Sequence, residues 1–198
     1  MDIALGMKAH SGWAALVALG AAGRDVQVVD RRRIELVMDA GAWARQPYHA
    51  AEGLPSARAR AVVERGITAA RTCAIAELRA ATDRAEAAGH RLVACAVLTG
   101  APMPDWTVEE ILAVHFRMHK AEGALYRDAL VHAVRTCGLP LVEIPEKSLA
   151  EAATRALKQR ASAATTQIAT LGKSVGPPWG QEQKDAALAA LIALSAPG

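Results

Sequence analysis

Aromatic side chains are scarce in this chain. They make up 4% of its 198 residues, with one Phe and two Tyr, while Trp supplies four. A core so composed must close with aliphatic and small side chains rather than stacked rings. Cysteine is equally sparse. Cys73, Cys95 and Cys137 are odd in number, far apart and without C-x-x-C spacing. That excludes a disulfide framework and a zinc ribbon, and reads as reduced thiols in a cytoplasmic protein. Long apolar runs are also missing. None approaches the roughly 18 residues of a membrane span, so no membrane partner is expected. Trp13–Gly23 imitates the apolar part of a secretion signal, but it starts late, follows Asp2 and lacks a basic leader, and so reads as strand and turn. No P-loop, G-x-G-x-x-G or nucleophile elbow occurs, which removes the common nucleotide-binding and serine-hydrolase signatures. An excess of one charge is lacking too: 23 Lys and Arg against 20 Asp and Glu leave a net +3. Charge alone therefore announces neither a polynucleotide nor a lipid surface.

What the chain does have is Ala, about a quarter of its residues, which favours helices and close packing of elements. At 52% hydrophobic and 22% charged it is no disordered tail. Its length fits one domain over residues 1–198 with a substantial core.

Along the chain, Ile3–Met7 and Gly12–Ala18 are short apolar runs separated by Lys8–Ser11. Gly20–Arg24 reads as a turn into a third run, Asp25–Val37, where Arg33 and Glu35 alternate with Ile34 and Leu36 as in a half-exposed strand. Gly41–Pro55 is expected to be a loop. A long Ala/Arg/Glu helix then spans Ser56–Ala88, stopped by Gly89, with Arg58, Arg60, Arg65, Arg71, Arg79 and Arg84 facing solvent. Arg91–Leu98 is a continuous apolar run, expected to be a strand buried on both faces. Thr107 and Glu110 form a capping box opening a helix to Cys137, which Gly138 ends. Leu139–Ile144 is a second buried strand. Ser148 and Glu151 repeat the capping pattern, Lys173–Gly180 is a rigid loop, and Gln181–Leu194 is a final amphipathic helix. The order β-β-β-α-β-α-β-α-α predicts an α/β fold. A three-strand meander followed by αβαβα crossovers gives a mixed five-stranded sheet flanked by helices.

That order, with Leu5-Gly6 leading through Ser11-Gly12-Trp13 at the first hairpin, resembles the ribonuclease H-like superfold and, within it, the RuvC-type Holliday-junction resolvases. Ala121–Gly123 sits where such resolvases carry a small-Arg-Gly step, and Glu182–Ala189 is similar to their D-x-x-D-A-L-A. The resemblance implies a nucleic-acid partner and a carboxylate site for divalent ions. It also implies that the first-strand Asp falls at Leu5 and the fourth-strand Glu within Ala96–Gly100, where there is no acid. Glu182 and Asp185 alone stand for the C-terminal pair. Two-metal hydrolysis needs carboxylates around both ions, so the acidic site reads as largely lost.

On the helix from Thr107, a turn of about 100° per residue aligns Ile111, Met118, Leu125, Ala129 and Ala133 as one apolar stripe. His115, His119 and Glu122 fall within it, whereas Arg117, Lys120, Asp128 and Arg135 face the other way. Two imidazoles and a carboxylate aimed at a sheet must bond each other, bind a ligand or open on a cleft. His10 follows the first strand and Tyr48, His49 and Glu52 follow the third, at the strand ends where such sheets take ligands. His10, His49, His115, His119 and Glu122 are therefore candidate ligands for a divalent ion (Zn, Mn or Mg), with Glu52 a further acid nearby. His115, His119 and Glu122 are equally candidates for metal-free general acid–base chemistry. A satisfied polar network fixing helix on sheet is the third reading. Lys173, Trp179, Lys184 and, in the basic run Asp30–Arg33, Arg31 are candidate nucleic-acid contacts.

Three functions follow. One is a divergent nucleic-acid-associated protein whose His/Glu cluster replaces the carboxylate site; if an enzyme, it would be a metal-dependent hydrolase or nuclease. The second is a non-catalytic interaction module or homodimer on the same fold. The third is an enzyme of unrelated chemistry using the His/Glu site.

Overall fold

The computed structural model describes residues 1–22, 25–38 and 41–196. Five strands form one mixed sheet in the order β3-β2-β1-β4-β5. They are β1 (Asp2–His10), β2 (Trp13–Ala22), β3 (Asp25–Glu35), β4 (Arg91–Thr99) and β5 (Leu141–Pro145). β1 and β2 run further than the apolar runs alone predict, meeting across Ser11-Gly12, where Gly12 takes φ +82°. Gly23 and Arg24, the end of the expected turn, lie outside the described residues. β2 is antiparallel to both its neighbours, while β4 is parallel to β1 and to β5. The carboxyl ends of β1, β3, β4 and β5 therefore share one edge.

Side-chain parity along β1 divides the core into two layers. Ile3, Leu5 and Met7 face one side, with Leu16, Cys95 and Val97. There they meet α3 (Ser56–Ala87) and α5 (His115–Thr136), the two long helices of that layer. Ala4 faces the other side, with Val17, Ala94, Ala96 and Leu98. That side is covered by α6 (Leu149–Leu157), α7 (Ala161–Thr170) and α9 (Gln181–Leu194). Alanine allows α9 to lie very near the sheet through Ala186, Ala187, Ala189 and Ala190. At Gly6 the approach is closest: a Cβ there would overlap the Ala186 carbonyl. All three cysteines are free; Cys95 is fully buried, and burial pushes its thiol up to about 12.

Several local expectations are corrected. Gly41–Pro55 is not a plain loop but holds α1 (Ala42–Arg45) and α2 (Pro47–Ala51). The Thr107–Cys137 helix is two helices: α4 (Val108–Leu112), opened by the expected Thr107–Glu110 capping box, and then α5. Val114 between them is extended (φ −138°, ψ 112°), which interrupts the helical phase. β5 is shorter than expected and is an edge strand, so only Ile144 in it is buried. Ser148 makes no side-chain cap, because Glu146–Ser148 already turns as a 3-10 helix ahead of α6. A 3-10 turn at Lys158–Arg160 separates α6 from α7, and α8 (Gly172–Val175) ends the run. No helix among the described residues is long and apolar enough to cross a membrane.

Candidate functional site

Two polar clusters lie at the strand-end edge. The first is anchored by Glu122, the one acidic or basic side chain buried among the described residues, at 5% exposure. It sits one turn before Tyr126 on α5, and together the two hold the α1–α2 segment. The Tyr126 hydroxyl donates to the Ala44 and Arg45 carbonyls at 3.1 and 2.7 Å. Glu122 Oε1 accepts the backbone N–H groups of Tyr48 (2.8 Å) and His49 (3.2 Å) at the start of α2. The same oxygen lies 3.3 Å from His49 Nδ1. Burial pushes the Glu122 carboxyl above the usual range, against the contrary pull of its contacts with His49 and Tyr48. Its Oε2 has no hydrogen-bond partner among the described residues.

His115 and His119 stand next to this anchor on the first turns of α5. Their Nε2 atoms are 3.0 Å apart. The His49 ring centroid is 5.6 Å from that of His115 and 4.8 Å from that of His119. One ring nitrogen from each of the three lies within 4.8 Å of the other two. The topology thus brings His49 from after β3 to two histidines from after β4. The expectation that His115 and His119 point into the core is corrected: both are exposed, and Glu122 alone of the three is inside. The break at Val114 starts α5 beyond the sheet, so its first turn projects into solvent with Val114 and with Phe116, which is 73% exposed.

His10 belongs to a different cluster. It stacks on Trp13 (centroids 4.2 Å apart, planes 11° from parallel), with Glu182 at 3.9 Å. Burial lowers its proton affinity, opposed by Glu182. Beside it, Lys8 Nζ lies 2.7 Å from Asp185 and 2.9 Å from Glu146. The Lys8 side chain is 12% exposed and that of Asp185 15%. Burial alone would lower the Lys8 ammonium, but the Asp185 and Glu146 contacts outweigh it and raise it. Asp185 also accepts from Gln181 (2.6 Å), and Arg127 lies 3.8 Å from Glu146. Leu5, where the resemblance implies the first-strand acid, lies on the opposite face of β1 from Lys8. Leu5 is 1% exposed and faces the α3/α5 layer. Strand parity instead gives Lys8 the side that meets α9. There the chain carries an ammonium that already holds Asp185 and Glu146, while Glu182 lies by His10. These residues do not fit a pair of divalent ions.

Of the expected nucleic-acid contacts, Arg31 is engaged elsewhere: its guanidinium donates to the carbonyls of Gly176, Pro178 and Pro177 at 2.7, 2.7 and 3.3 Å. Trp179 donates to the Ile168 carbonyl at 2.8 Å and packs over Gly172 as a cover on the core. Lys173 is exposed on α8, and Lys184 is half-buried on α9. Glu52 ends α2, where its backbone N–H bonds the His49 carbonyl; its side chain is exposed and is not part of the three-histidine group. The sequence did not single out the cleft of about 840 Å³ between the two clusters. Phe116, His119, Lys120, Arg127, Glu146 and Lys147 line it, over Gly100 and Gly123. Only the packing of α5 against the ends of β4 and β5 assembles it.

The sheet order, the meander and the crossover helices define an α/β protein of ribonuclease H-like architecture. The particular likeness is to RuvC of Thermus thermophilus. In complex with Holliday junction substrate it matches 97% of this chain and 92% of its own, at 12% identity and a TM-score of 0.51. A second T. thermophilus RuvC structure matches 96% and 92% of the two chains, at 12% identity and a TM-score of 0.47. No family model matches the chain, and no curated protein does.

Proposed function

We propose that this chain, as one domain over residues 1–198, is a nucleic-acid-associated protein of ribonuclease H-like fold that does not carry out two-metal hydrolysis. The His/Glu cluster stands at the same sheet edge, across the cleft from the carboxylates around Lys8. The observation that carries the reading is the cleft. Three cations, Lys120, Arg127 and Lys147, line it against a single acid, Glu146, which faces Lys8. Phe116 offers an exposed ring. Cations that track phosphates and a ring that stacks on bases are the parts a polynucleotide surface needs. The RuvC of similar fold is described with a Holliday junction substrate. The Lys8–Asp185–Glu146 contacts argue for binding without hydrolysis at those carboxylates, since the ammonium supplies the countercharge an ion would otherwise bring.

Fluorescence anisotropy with a four-way junction, a duplex and a single strand tests this. Binding should fall with salt, losing roughly one unit of log–log slope for each phosphate contact removed. Lys120→Glu with Lys147→Glu should weaken it about tenfold or more and flatten the slope by about two. Failure of all three nucleic acids to bind at low salt would overturn the proposal and leave a protein-interaction module as the reading of this edge.

A further inference from the structure

We infer that His49, His115 and His119 form a transition-metal site of the zinc class, with Glu122 as the residue that positions His49. This goes beyond the proposed nucleic-acid role and does not depend on it.

Three imidazoles from two elements that only tertiary packing unites have ring nitrogens within 4.8 Å of one another. In a tetrahedral site, bonds of about 2.0–2.1 Å set ligand nitrogens about 3.3 Å apart. The 3.0 Å between His115 and His119 is already close to that spacing, as two histidines one turn apart on a helix allow. His49 needs only a small closing movement by two exposed, unencumbered side chains.

A metal-bound histidine characteristically gives its other ring N–H to a carboxylate, which fixes the ring and its tautomer. Glu122 Oε1 lies 3.3 Å from His49 Nδ1, so the tautomer with its proton on Nδ1 bonds the carboxylate and carries its lone pair on Nε2. The same oxygen takes the Tyr48 and His49 backbone N–H groups, so the backbone of α2 is fixed with the ring. A buried carboxylate is costly; three contacts on one histidine and its neighbour are a large outlay for a ring with nothing to hold.

Neutral imidazoles suit zinc and its neighbours, whereas magnesium, manganese and calcium favour oxygen. Of the ions open at the sequence level, zinc is the one the donors select. Three ligands with the outer side open to solvent leave a position for water, as in catalytic rather than structural sites. That position adjoins the cleft, which His119 also lines.

The test uses purified full chain stripped by chelator and titrated with Zn²⁺ and Co²⁺, read by calorimetry and by the visible absorption of bound Co²⁺. One ion per chain is expected. His115→Ala and His119→Ala, both at exposed positions, should keep the wild-type circular dichroism and each weaken binding about 100-fold or more. Glu122→Gln should weaken it about 10–100-fold while leaving the Co²⁺ absorption at saturation unchanged. Loss of absorption there would make Glu122 a ligand and overturn its positioning role. Lys147→Gln, on the far side of the cleft from the histidines, should weaken nucleic-acid binding while leaving metal binding intact, which separates this site from the cleft's nucleic-acid role. No stoichiometric binding, or binding that survives replacement of both His115 and His119, overturns the metal site.

Discussion

Lys8 gives the most demanding test of the strand-end edge. Replacing it with Met keeps the length and apolar stem of the side chain and removes the ammonium. Asp185, at 15% exposure, would lose its cation at 2.7 Å, and Glu146 its cation at 2.9 Å. Breaking a fully buried pair costs about 3–5 kcal/mol. Two features lower that figure here: Asp185 keeps Gln181 at 2.6 Å, and Glu146 is 37% exposed with Arg127 nearby. The expected loss is about 2–3 kcal/mol, or roughly 5–10 °C in Tm for a chain of this size. Asp185→Leu should cost a similar amount, since the largely buried Lys8 ammonium would keep only the more exposed Glu146. The double variant replaces the pair by apolar groups, so it should lose about 2 kcal/mol less than the two single losses combined. Urea unfolding of the four proteins, followed by circular dichroism, measures this directly. Additive losses, or an unchanged Lys8→Met midpoint, would refute the idea of a closed charge network. The pH dependence has a fixed sign. Lys8 titrates above its ordinary 10.5 in the folded chain. Its contribution is therefore fully present below that value and disappears as pH rises through the shifted one.

Two further substitutions probe the scaffold. Gly6→Ala puts a methyl into the Ala186 carbonyl, so α9 must lift off the sheet; a loss of about 1–3 kcal/mol or more is expected, and an unchanged unfolding midpoint would contradict the close approach. Tyr126→Phe leaves the Ala44 and Arg45 carbonyls without their hydroxyl donor, which should cost about 1–2 kcal/mol and speed hydrogen exchange at Tyr48 and His49.

The sequence is legible wherever burial or capping acts locally. Arg91–Leu98 reads as a strand because β4 is central and its buried stretch has core on both faces. Thr107–Glu110 reads as a helix start because the capping contacts lie within four residues. The break at Val114 carries no Gly or Pro, and apolar spacing continues across it, so helical phase extrapolated from Thr107 turns His115 and His119 inward. His49 reaches the cluster through topology, which the element order predicts. The grip of Glu122 on the α2 backbone has no local signal, since the partners are 73 and 74 residues apart. The role of Lys8 has no local signal either: its partner Asp185 is 177 residues away, and only strand parity in the fold puts Lys8 on the face opposite Leu5.

The near contact of α9 with Gly6 has a consequence for how the molecule is made. β1 leaves the ribosome well before α9, yet one face of this strand is covered by that last helix of the described residues. Until α9 docks, the alanine-lined side of the sheet stays wet and Lys8 has no Asp185. Burial of that sheet face and charge neutralisation at the edge are thus completed together, in a late step that joins positions 177 residues apart. Such long-range closure slows folding. It also means that a nascent chain cannot present the finished edge to any partner before synthesis of α9 is complete.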